Sequence, residues 1–130
     1  MKNIYTWAAK PAKRTLTVGD LKTAKGKRKF TQVTANNIEE AEAAEKAGFD
    51  MIISNAKNVI PVREGSKNLF LTAALVLNEF VTEEDIMRGA FKALENGADA
   101  VMTPRSMDIV EMLAKEDVPV MGHLGLVPRK

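Results

Sequence analysis

The 130-residue chain has no cysteine, which excludes disulfide bridges, a thiol nucleophile and thiolate metal sites. It also lacks long apolar runs. Nothing approaches the roughly 18 uninterrupted apolar residues that a membrane helix needs. The opening "MKNIYTWAAKPAKR" has no apolar core of the kind a secretory signal carries. No G-x-G-x-x-G comes after the first expected strand, which weakens a dinucleotide-binding reading. Acidic residues are scarce at the start. Asp20 is the only acid among residues 1–29, which hold nine of the 19 Lys and Arg, whereas residues 30–130 carry a net charge of −6. These features fit a cytoplasmic protein without a membrane span.

The basic run "KGKRK" (25–29) has the charge to attract nucleic acid or an acidic lipid surface. No aromatic residues interleave with it and no recognition motif comes after it. Residues 1–28 therefore read as a solvated basic lead-in, or as a contact to an acidic neighbouring subunit. Residues 29–130 read as one domain or part of one.

That domain alternates strands and helices. "KFTQVTA" (29–35) is β-prone, and "NNIEEAEAAEKAG" (36–48) is a helix. Asn37 suits its cap, Glu39 and Glu40 suit its N-terminal dipole, and Gly48 closes it. "FDMIISNA" (49–56) and "NLFLTAALVL" (68–77) are apolar strands. Pro61 and Gly65 in the segment between them discourage a full helix, so a loop or one helical turn is expected there. "TEEDIMRGAFKALENG" (82–97) is a helix with Thr82 and Asp85 in capping-box spacing. "ADAVMTP" (98–104) is a strand, "SMDIVEMLAKED" (106–117) a helix capped by Ser106, and "VPVMGHLGL" (118–126) the last strand.

Continuous apolar strands separated by helices mean an α/β fold with a parallel sheet covered on both faces. The stretches "AEKAGFDMII" and "LENGADAVM" repeat a helix end, a glycine and an aspartate two residues on. Gly48/Asp50 and Gly97/Asp99 thus read as αβ-turn chemistry at the N-terminal ends of strands, the face that serves stability. Five parallel strands suit either an open doubly wound sheet or the first part of a (β/α)8 barrel, and local pattern does not choose between them.

The segments "GKRKFTQVTANNIEEAEAAEKAGFDMIIS", "EEDIMRGAFKALENGADAV" and "PVMGHLGLVPRK" do choose. Over about residues 15–130 they resemble the ketopantoate hydroxymethyltransferase family. These aldol enzymes of pantothenate biosynthesis are grouped with the phosphoenolpyruvate mutase and isocitrate lyase barrels. The resemblance implies the N-terminal, five-strand part of a (β/α)8 TIM-type barrel, in a chain cut short after "LGLVPRK", where Arg129-Lys130 is a site for trypsin-like proteases. It also implies one-carbon aldol transfer or related C–C chemistry on a small keto acid, with Mg2+ and a tetrahydrofolate donor, in a homo-oligomer.

Carried onto this chain, the family's two Mg2+ aspartates fall at Ala56 and Ala74, and a lysine and a glutamate fall at Met102 and Pro104. An alanine gives Mg2+ no lone pair, so no metal ligand is assigned. His123 alone matches and is the candidate catalytic residue. Polar groups remain at the C-terminal strand ends, where barrels place their chemistry. Asn55, Lys57, Thr72, Thr103 and Arg105 are therefore the candidate substrate-binding residues, with Lys57, Arg105 and His123 giving a cationic mouth suited to a carboxylate or a phosphate. Each has a plainer role: Lys57 as a solvated loop lysine, Arg105 against the helix that starts at Ser106, His123 as a satisfied core histidine. Two other functions stay open, a non-catalytic small-anion-binding or oligomer-forming homologue and a self-contained five-strand binding module.

Overall fold

A computed structural model describes residues 1–128, so the Arg129–Lys130 protease site lies outside the described residues. The basic lead-in is structured. β1 (Lys2–Tyr5) and β2 (Pro11–Arg14) form an antiparallel hairpin, and α1 (Val18–Thr23) comes next under a Thr17–Asp20 capping box. No apolar alternation marks these elements, because most of their residues are exposed.

The main sheet contains β3 (Gln32–Thr34), β4 (Met51–Asn55), β5 (Phe70–Ala74), β6 (Ala100–Thr103) and β7 (Val120–Gly122). All four pairings are parallel, and the spatial order β3-β4-β5-β6-β7 is the chain order. A doubly wound sheet reverses its order at a switch point. This one does not reverse, and its layering is that of a partial barrel. α2 (Ile38–Ala47), α3 (Val59–Gly65), α4 (Glu83–Glu95) and α5 (Met107–Lys115) all contribute to one core with Ile52, Leu71, Ala73 and Val101 of the strands. Each fully buried aliphatic side chain there contributes about 1.5–3 kcal/mol. Met51, Phe70 and Ala100 lie on the opposite, inner face, where Leu16, Val18 and Leu21 of the N-terminal segment close the lower end.

The ends expected for α2 and the N-terminal cap expected for α4 form as read. The Asn37 side chain accepts from the Glu40 N–H, and Gly48 closes α2 at φ 80°. Thr82 and Asp85 cap α4 reciprocally. Ser106 stands at the start of α5 but makes no side-chain cap bond.

Two expectations change. The segment expected as a loop or one turn holds a 3-10 turn (Ala56–Asn58) and the two-turn helix α3. Pro61 is third in α3, within the first turn, where backbone N–H groups have no helical partner anyway. Gly65 is needed for close packing: a Cβ there would lie 2.3 Å from the Ile38 carbonyl oxygen of α2. The last strand also ends early, at Gly122, which pairs with Thr103. The next position on β6 is Pro104, which has no N–H to continue the ladder. His123 therefore lies just past the strand rather than on it.

The repeated aspartates act alike. Asp50 accepts from the Thr31 N–H at 2.8 Å and from Arg28 at 2.9 Å. Asp99 accepts from the Leu71 N–H at 2.9 Å, from Arg14 Nε at 2.8 Å and from Arg63 Nη2 at 2.8 Å. The Arg14 side chain is 3% exposed and Asp99 10%. Burial lowers the Arg63 pKa to about 10, with the Asp99 charge opposing, so Arg63 stays cationic near neutrality. Replacing Asp99 by Asn is expected to destabilise the fold by about 3 kcal/mol or more, since two buried guanidinium groups lose their counter-charge. Urea unfolding followed by the fluorescence of Trp7, whose ring lies 5.5 Å from Phe91, measures this.

Acid sensitivity has a defined source. The Thr31 backbone N–H holds Asp50 below the usual carboxylate value. The Lys2 ammonium, with Thr17, holds Asp20 at about 2, against an ordinary 3.8. Folded values below unfolded ones mean a stabilisation that is full above the unfolded pKa and lost as pH falls through the folded ones. Urea midpoints are expected to hold steady down to about pH 5 and to drop below about pH 4, with a shallower acid limb in Asp50→Asn.

Candidate functional site

Parallel strands project alternate residues to opposite faces, so register decides what the barrel mouth contains. Asn55 pairs with Ala74, Ala74 with Met102, and Met102 with Met121. These four share a row at the C-terminal end of the inner face, two positions above Ile53, Thr72 and Ala100. The row holds one amide, one methyl and two thioethers.

A polar network surrounds its amide end. Asn55 Nδ2 donates to Glu79 Oε2 at 3.2 Å, and its Oδ1 accepts from the Lys57 N–H at 2.9 Å. Lys57 Nζ lies 3.6 Å from the same Glu79 oxygen. Asn36 Oδ1 accepts from the Asn55 N–H at 2.9 Å and from Asn58 Nδ2 at 3.2 Å. Loops after β3, β4 and β5 are thereby knitted together. Sequence reasoning missed Glu79, because its loop carries no motif and its approach to Asn55 depends on how that loop folds.

Arg105 is already engaged. Its Nη2 donates to the Leu77 and Phe80 carbonyls at 3.1 and 2.8 Å, clamping the loop that carries Glu79. Its Nε is buried without a partner among the described residues. Thr103 is on the wrong face for the mouth. It shares the helix-side face with Val101, two residues before it, is fully buried, and its hydroxyl accepts from the Arg105 N–H at 3.2 Å. Thr72 is on the inner face but sealed, with its hydroxyl buried and unpartnered.

His123 is half-buried, two residues beyond Met121. Among the described residues no hydrogen bond or ion pair links it to Asn55, Lys57 or Arg105. The structure thus brings Asn55 and Lys57 together, places Arg105 behind their loop, and leaves Thr72, Thr103 and His123 outside the network.

The residues present do not fit Mg2+. Ala56 is buried in the helix-side core, Ala74 offers a methyl group, and no cluster of three or more His, Asp or Glu able to hold a metal occurs among the described residues. Two clefts lie apart from the network. One, of about 460 Å³, sits at the N-terminal strand ends beside Trp7, Arg14, Phe70 and Asp99. Another, of about 310 Å³, lies against the inner face beside Leu21, Lys22, Phe70 and Met121. No helix among the described residues is long and apolar enough to cross a membrane.

The family model described as ketopantoate hydroxymethyltransferase matches residues 53–130. The chain is 34% identical to a 3-methyl-2-oxobutanoate hydroxymethyltransferase of Kosmotoga olearia, over 82% of this chain and 49% of the relative. It is 34% identical to the protein of that name from Pyrobaculum calidifontis, over 91% of this chain and 54% of the relative. For the one from Pyrococcus furiosus the identity is 32%, over 82% and 46%. The chain spans about half the length of the relatives it matches.

Arg105→Ala is expected to release the loop 77–80. Hydrogen–deuterium exchange should rise about tenfold or more there while β6 keeps its protection. Unchanged exchange at 77–80 would show that the clamp contributes nothing.

Proposed function

The chain belongs to the ketopantoate hydroxymethyltransferase family, and from that premise we propose that it forms the substrate-facing part of a barrel that recognises a small 2-oxo acid for aldol-type one-carbon transfer. The observation that carries this reading is the Asn55–Lys57–Glu79 network beside an apolar row at the C-terminal strand ends. A cation and an amide at that end suit the carboxylate of the acid, and Ala74 and Met102 suit its aliphatic body. His123, near the end of the same row, is the residue carried over for the reaction, and a tetrahydrofolate donor is the one-carbon substrate in this reading. No step is assigned to Mg2+, for which the mouth lacks ligands.

A second reading has one specific observation in its favour. The inner row of Asn55, Ala74, Met102 and Met121 carries no acid–base group, which suits a homologue that binds a small anion beside it, at Lys57, without turning it over. In the same reading the protein is a cytoplasmic homo-oligomer.

Titrating 15N-labelled protein with 3-methyl-2-oxobutanoate tests the reading. Saturable shifts are expected at Asn55, Lys57, Ala74 and Met102. Shifts confined to Tyr5, Trp7 and Asp99 would move the site to the cleft at the opposite end and sink the proposal. A transfer assay with a methylene-tetrahydrofolate donor then separates the readings, since the non-catalytic homologue binds the acid and forms no hydroxymethyl product.

A further inference from the structure

Among the described residues the mouth offers no cluster able to hold a metal, and an ion pair stands beside it. A divalent cation such as Mg2+ needs several oxygen ligands in near-octahedral array. The only side-chain oxygen in the inner row of Asn55, Ala74, Met102 and Met121 is Asn55 Oδ1, and it already accepts from the Lys57 N–H at 2.9 Å. The neighbouring position on β5 is Ala74 and the next on β6 is Met102. Beside this row stands Glu79, taking a hydrogen bond from Asn55 Nδ2 at 3.2 Å and facing Lys57 Nζ at 3.6 Å.

The pair bridges two independent loops, Lys57 in the turn after β4 and Glu79 beyond β5. The Lys57 side chain is 63% exposed and Glu79 25%. At that exposure the ion pair is weak and water-screened, so another anion can replace Glu79 at little cost. The donors released, the Lys57 ammonium and the Asn55 amide, come from the same short segment and converge on one oxygen of Glu79. A carboxylate in that oxygen's place satisfies both.

Resting on the reading that this mouth takes a 2-oxo acid, the geometry points to a carboxylate site that works without a divalent cation. Lys57 and the Asn55 amide hold the acid's carboxylate, Glu79 is the resident counter-ion that it displaces, and Ala74 and Met102 face its aliphatic part. Glu79 acts here as an internal competitor. Its removal strengthens binding, whereas removal of a metal ligand or a substrate contact would weaken it.

Calorimetric titration of the full chain with 3-methyl-2-oxobutanoate, in EDTA and in excess Mg2+, tests the inference. The two dissociation constants are expected to agree within about twofold. Lys57→Ala is expected to weaken binding by up to about fivefold, the value of one solvent-screened charge contact. Glu79→Gln is expected to tighten it several-fold. Thermal melts of both variants should stay near wild type, because the pair is solvent-exposed, and Lys57→Gln serves as a second variant if Lys57→Ala folds poorly. Binding that needs Mg2+, or that weakens in Glu79→Gln, overturns this inference while leaving the 2-oxo acid reading intact. No binding by the wild-type chain in either buffer overturns that reading and the inference with it.

Discussion

The largely buried Asp99 carboxylate joins distant parts of this molecule. Asp99 sits at the turn between α4 and β6, yet its carboxylate reaches the backbone of β5, the guanidinium of Arg63 on α3 and the guanidinium of Arg14 at the end of the N-terminal hairpin. Four stretches far apart in sequence thus share one small anion. A carboxylate buried to that degree is tolerable only with its positive partners, and each arginine is tolerable only with the carboxylate. Arg14 also donates to the Lys13 and Lys67 carbonyls, and Arg63 to those of Gly97, Ser66 and Leu69. The N-terminal ends of the strands are therefore fixed by charge as well as by packing.

That arrangement frees the other end of the sheet. With the strands anchored below by Asp50, Asp99 and Leu16, the loops above β3, β4 and β5 are tied by amides, one exposed ion pair and the Arg105 clamp on the Leu77 and Phe80 carbonyls. This is the usual division of a βα barrel, stability at the N-terminal ends and variation at the C-terminal ends. Of the positions where the resemblance implies charged groups, Ala74 and Met102 lie in the inner row, whereas Ala56 lies in the helix-side core. Alanine at positions 56 and 74 costs the fold little. Ala56 adds to the helix-side core, and Ala74 sits in the strand row without any buried polar group to satisfy.

Arg105 shows how a residue of the right type in the right place can have a different task. Its position after β6 suggested substrate binding, but its guanidinium is engaged by two carbonyls of the loop that carries Glu79. Thr103 differs for a simpler reason. On a strand each residue faces opposite to its neighbour, and Val101 occupies the helix side, so Thr103 does too.

The sequence by itself determined the α/β class, the order of strands and helices, and most helix ends. These depend on local chemistry: Asn37 and Thr82 as caps, Gly48 with its left-handed backbone, and apolar runs that must be buried. It also located the N-terminal aspartates correctly, since Gly48/Asp50 and Gly97/Asp99 are turn signals within a few residues. It did not reveal the hairpin at residues 1–14, whose exposed strands leave no hydrophobic pattern. Nor did it reveal α3, where Pro61 is harmless because it falls in the first turn. Only the tertiary structure decided that Asp99 would pair with Arg14, 85 positions away, that Glu79 would meet Asn55 and Lys57, and that Thr103 would turn from the mouth. Those outcomes rest on strand register and on the paths of loops between distant elements, which are fixed when the sheet assembles and leave no trace in short-range sequence pattern.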